Sequence, residues 1–95
     1  MLIVDLIYKK PLSEVEQHVQ EHRDFLQGYY DKNLLIASGP KIPKKGGVII
    51  ANMNLEAMQE LIKQDPFYRK GIAEYKITEF DPVKKSKGFE TILPQ

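Results

Sequence analysis

The sequence predicts an α+β domain in which a four-stranded antiparallel sheet carries two helices on one face. Three observations lead there. Four short segments rich in β-branched and aromatic residues alternate with two amphipathic ones, in the order strand, helix, strand, strand, helix, strand. Each amphipathic segment gathers its apolar residues onto one stripe. The chain has 95 residues, which suits one domain with a modest core and leaves no room for two.

Residues 2–8 read as the first strand, ended by Lys9-Lys10-Pro11. Ser13-Glu14-Val15-Glu16 is a capping-box pattern and predicts a helix over residues 13–30, with the Ser13 hydroxyl accepting from the Glu16 amide. Val15, Val19, His22, Leu26 and Tyr29 form its apolar stripe, at intervals of four, three, four and three residues. Asp31-Lys32-Asn33 breaks the helix, with Asn33 taking the left-handed conformation that ends helices. Residues 34–38 are the second strand, stopped by Gly39-Pro40; residues 41–47 form a loop on turn chemistry, and residues 48–51 the third strand. Asn54 caps the second helix, whose Leu55, Met58, Leu61 and Ile62 share a face. Asp65-Pro66-Phe67 ends it, because the residue before proline is pushed out of α geometry. Residues 73–80 alternate as the last strand, closed by Asp81-Pro82. The domain is therefore expected over residues 1–82, and residues 83–95 form a lysine-bearing tail with one apolar patch of Phe89, Ile92 and Leu93. This order of elements is the βαββαβ, ferredoxin-like plan.

Residues 34–36 and 48–50 are continuously apolar, so both faces of the sheet require cover. Two helices cover one face. The other is expected to meet a second copy of the chain, giving a homodimer with sheets face to face.

Composition narrows the function classes. With no cysteine the chain has no disulfide, thiolate metal site or cysteine nucleophile, and it fits a reducing cytoplasm, where the protein is expected to work. A net charge of +1 gives no strong field toward nucleic acid or anionic membranes. The apolar run Leu2-Ile3-Val4 is broken by Asp5, with no basic region before it, and is expected to be neither a signal peptide nor a membrane span.

His22 is the first candidate for chemistry. An imidazole accepts and returns a proton near neutral pH and needs a partner, usually a carboxylate, to orient its other nitrogen. A histidine in an apolar stripe is also met as a satisfied core residue. Asp65 is the suggested partner, at a helix exit where Pro66 fixes its direction; an aspartate before proline also commonly bonds its own turn. Ser38 sits at a strand end without the nucleophile-elbow pattern, so its hydroxyl orients a ligand or forms a turn. Tyr8, Tyr29, Tyr68 and Tyr75 either line a pocket or belong to the core. His18 precedes His22 by four residues, a metal-ligand spacing, but it lies to the side of the stripe and the metalloprotease glutamate is missing. No metal site is expected, and His18 is expected to be solvated. No phosphate loop is present, and the lysines of residues 41–45 and 84–87 are too interrupted for a nucleic-acid patch.

Several segments together resemble the YCII-related family: Glu21-His22-Arg23-Asp24-Phe25-Leu26, Leu34-Leu35-Ile36-Ala37-Ser38-Gly39-Pro40, Gly46-Gly47-Val48-Ile49-Ile50-Ala51, Asp65-Pro66-Phe67 and Gly71-Ile72-Ala73-Glu74-Tyr75. The resemblance runs nearly to Pro82. It implies a dimeric α/β-barrel of ferredoxin-like subunits, with an active site in which the family's helix histidine falls on His22 and its Asp-Pro aspartate on Asp65. The family's Ser-Gly-Pro serine falls on Ser38, and Asn33 stands where the family usually has glycine. A relative resembling this group is a dehydrochlorinase of a chlorinated hydroxyaromatic compound; isomerase and monooxygenase families share the fold by analogy. The expected function is a small-molecule enzyme in which His22 is the general acid/base held by Asp65, with Ser38 and Tyr75 helping to bind. Elimination or isomerisation of a cyclic or aromatic compound fits, with no cofactor. The alternatives are a non-catalytic metabolite-binding dimeric module and, more remotely, a haem or flavin monooxygenase.

Overall fold

Strands β1 (Leu2–Tyr8), β2 (Leu35–Pro40), β3 (Gly46–Ala51) and β4 (Ala73–Glu79) alternate with helices α1 (Leu12–Glu16), α2 (Val19–Asp31), α3 (Leu55–Gln64) and α4 (Pro66–Arg69) in a computed structural model that describes residues 1–92. The strands pair antiparallel in the order β2-β3-β1-β4, with both crossovers made by helices, which is the ferredoxin-like topology.

Register decides which side chains meet the helices. Opposite residues of antiparallel strands share a face. Leu2, Val4 and Leu6 of β1 face Ala51, Ile49 and Gly47 of β3 on one side and Glu79, Ile77 and Tyr75 of β4 on the other. This face joins Val15, Leu26, Met58, Leu61, Ile62 and Phe67 of the helices to make the core. The opposite face carries Ile3, Ile7, Val48 and Ile50 around Asp5 and Lys76, and none of the four described α-helices covers it.

The expected second helix is observed as read: Asn54 Oδ1 accepts from the Ala57 amide at 2.7 Å, and Asp65, with ψ 128°, ends it. Asn33 adopts the left-handed conformation (φ 60°). Three expectations are corrected. The helix over residues 13–30 is two helices, because the Gln17 and His18 amides take carbonyls three residues back and tighten the chain into a turn. Ser13 is not a cap: the chain already turns at Pro11, whose carbonyl accepts from the Glu14 and Val15 amides, and no side chain caps α1. Finally, β2 continues through Gly39 and Pro40, and β3 begins at Gly46. Proline is tolerated there because β2 is an edge strand. In the tail, Phe89 lies in a single 3-10 turn and Ile92 is exposed, while Leu93 of the expected patch lies outside the described residues.

Candidate active site

The site is built on a junction between two helices. Asp65 is both the C-terminal cap of α3 and the N-terminal cap of α4, where Pro66 occupies the first helical position. This geometry turns the carboxylate inward, and its Oδ1 accepts from the Phe67 amide at 3.0 Å. Asp65 is the one buried charged residue described, with 0% exposure. Burial of an ion is tolerated only when its oxygens are bonded, and both are. His22 Nδ1 lies 2.7 Å from Oδ1, and the Tyr75 hydroxyl donates to Oδ2 at 2.6 Å. Burial, reinforced by the Asp65 charge and by that hydrogen bond, holds the Tyr75 phenol far above the ordinary tyrosine range, so it remains a donor.

His22 comes from the first turns of α2, 43 residues away in sequence. Its ring stacks on Phe67 with centroids 4.0 Å apart and planes 5° from parallel. A carboxylate can only accept, so Nδ1 carries the proton of the neutral ring and Nε2 is left as the basic atom. Nε2 has no hydrogen-bond partner among the described residues, and His22 lines a cavity of about 490 Å³ between α1, α2 and the sheet. That volume lies within the range of small-molecule sites. Leu6, Val15, Val19, Leu26, Ile49 and Phe67 supply apolar walls.

Ser38 also lines the cavity, through a device hidden from strict alternation. Leu35 pairs with Ala51, but Ala37 pairs with Ile50, so Ile36 is an extra, bulged residue. The bulge resets the strand by one position and puts Ser38 opposite Ile49, on the helix-facing side. The Ser38 and Tyr30 hydroxyls lie 2.6 Å apart.

The remaining candidates lie elsewhere. Tyr75 does not line this cavity; its hydroxyl serves Asp65, and its ring borders a separate hollow beside α3 and β4. His18 is half-buried, 2.6 Å from Glu21 Oε1, which also receives Lys70 at 2.5 Å. Lys70 first, and His18 second, hold the Glu21 carboxyl below its ordinary range. No group of three or more metal-ligating residues occurs among the described residues. Two participants were missed from sequence: Phe67 as the surface under His22, and Tyr30 as the partner of Ser38. Phe67 stood beside Asp65 in the motif, but nothing in one dimension tells a stacked ring from a core ring.

Residues 1–81 match the YCII-related domain. The chain belongs to the YCII-related family. No curated protein shows a significant match to the sequence. Among solved structures, the fold is similar to 5-chloro-2-hydroxyhydroquinone dehydrochlorinase (TftG) of Burkholderia phenoliruptrix AC1100, described as a complex with 2,5-dihydroxybenzoquinone. The TM-score is 0.70 at 16% identity, over 85% of this chain and 94% of that one. A family member sharing so few residues with this neighbour has its architecture. No described helix is long and apolar enough to cross a membrane.

Proposed function

We propose that this YCII-related protein is an acid/base enzyme that eliminates from, or isomerises, a small cyclic or aromatic molecule held in the cavity. The observation that carries the reading is the His22–Asp65 hydrogen bond, made by a histidine that lines the cavity and whose other ring nitrogen has no partner among the described residues. In an elimination, His22 Nε2 removes a proton from a substrate carbon, the electron pair of that C–H bond becomes the new π bond, and the leaving group departs from the neighbouring carbon with the electron pair of its own bond. The imidazolium formed keeps its Nδ1 proton on Asp65, whose negative charge stabilises it, and then returns the acquired proton to water or to the leaving group. Tyr75 and the Phe67 amide are positioning groups that fix Asp65. Ser38 is the binding hydroxyl nearest the strand end, oriented by Tyr30. No redox cofactor enters this chemistry. The dehydrochlorinase activity in the name of the structural neighbour supports an elimination of this kind.

The working unit in this reading is a cytoplasmic homodimer formed by the uncovered sheet face, where Ile3 and Ile7 are each 37% exposed. Its domain is residues 1–82, with the remaining residues as a tail. The test is a metabolite-mixture screen with wild-type, His22→Gln and Asp65→Asn proteins. Consumption of a compound by the wild type, lost in both variants with the fold retained, is expected. Equal consumption by either variant ends the acid/base assignment, and a ligand bound but never altered leaves a metabolite-binding module.

A further inference from the structure

The polar groups of the cavity are unevenly distributed. Arg23 of α2 and Lys44 of the β2–β3 loop both line it, as does Glu16, so these lining side chains carry one positive charge in excess, with the Asp65 carboxylate buried behind His22. Neither Arg23 nor Lys44 has an ion-pair partner among the described residues, whereas Lys41 and Lys70 are paired with Asp5 and Glu21. Tyr8 contributes a half-buried phenol with no hydrogen-bond partner among the described residues. Burial raises its pKa and outweighs the nearby Arg23 charge, which lowers it, so the group remains an O–H donor. Tyr8 packs edge-on against Phe67, centroids 6.2 Å apart at 85°, while His22 covers the face of the same ring. The Tyr8 ring therefore sits one aromatic ring away from His22, and Arg23, close enough to Tyr8 for its charge to act on the phenol, lines the same cavity.

We propose that Arg23 and Tyr8 form a carboxylate subsite, with Lys44 adding long-range attraction, and that the substrate is a cyclic or aromatic acid. The inference rests on reading the cavity as the substrate site. A guanidinium meets the two oxygens of a carboxylate with parallel N–H donors, a match that a hydroxyl or carbonyl substrate does not use. The apolar walls suit the ring. Anchoring the acid at Tyr8 and Arg23 extends the ring along Phe67 toward His22 Nε2.

The experiment titrates the full chain with benzoate and with its uncharged isostere benzamide, following amide and His22 imidazole resonances by NMR. Benzoate is expected to bind about tenfold more tightly than benzamide at low ionic strength, with the advantage shrinking as salt is added. Arg23→Gln is expected to lower benzoate affinity about tenfold and to leave benzamide unchanged, and Arg23→Lys to restore part of the loss. Equal affinities, a preference untouched by Arg23→Gln, or no binding of benzoate at millimolar concentration overturns the subsite. Binding needs no turnover, so the two readings fail separately. An inert protein that prefers benzoate contradicts only the chemistry above, and turnover of uncharged compounds without acid preference contradicts only the subsite.

Discussion

Tyr75→Phe keeps the ring that packs against the core and removes a single O–H. That O–H donates to Asp65 Oδ2 at 2.6 Å, and Asp65 is 0% exposed, so water does not replace it. Loss of a hydrogen bond to a buried charge costs on the order of 2 kcal/mol. In a domain of this length that lowers Tm by roughly 8–16 °C. The alkaline limb carries the sign. The folded protein holds the Tyr75 proton well above the unfolded value of 10.0, through burial first and Asp65 second. The stability this contributes is fully present below that value and is lost as pH climbs toward the folded pKa. Between 10.0 and the folded pKa the unfolded chain releases a proton that the folded chain keeps, and stability falls by about 1.4 kcal/mol per pH unit for this one group. Urea denaturation from neutral to strongly alkaline pH measures both effects. Tyr75→Phe is expected to start lower and decline less steeply, so the curves converge; Tyr8, also raised, leaves a residual slope. Unchanged neutral stability together with an unchanged alkaline slope refutes the buried bond.

Other outcomes follow from the same geometry. At Gly46 a Cβ would stand 1.8 Å from the Leu6 carbonyl oxygen, a backbone atom that cannot yield without parting β1 from β3. Gly46→Ala is expected to destabilise by more than about 3 kcal/mol in chemical denaturation, or to abolish soluble expression. Asn54→Ala removes the cap bond to Ala57 and should cost about 1 kcal/mol by the same method, without touching ligand binding. If the open sheet face is the dimer interface, Ile3→Glu yields a folded monomer in sedimentation velocity while the wild type sediments as a dimer.

Legibility in the sequence follows the range of the interactions. The order of strands and helices along the chain, the Asn54 cap, the Asn33 stop and the exit at Asp65 depend on neighbours within a few residues, and each is readable. The break at Gln17-His18 was not, because the apolar stripe runs through it in phase: Val15 and Leu26 are core residues on either side. Gly39, Pro40 and Gly46 resemble turn chemistry, yet the edge strand β2 absorbs the first two against β3, and Gly46 pairs with Ile7 of β1. In the site, residue types and spacing pointed to His22 and Asp65, and the resemblance joined them; their 2.7 Å meeting is tertiary. The bulge at Ile36 that turns Ser38 inward is a register fact with no local signature. The sequence offers Tyr75 as one of several tyrosines able to line a pocket, and the bond that its hydroxyl makes to Asp65 is again tertiary.

The central claim is that Asp65 fixes the proton on His22 Nδ1 and presents Nε2 to the cavity. Imidazole ¹⁵N resonances of His22 measure this directly. In the neutral ring the expected result is a protonated Nδ1 with its proton shifted far downfield, a bare Nε2 that moves when a ligand enters, and loss of this tautomer preference in Asp65→Asn. A proton resting on Nε2, or a His22 ring indifferent to both Asp65→Asn and ligand, contradicts the account.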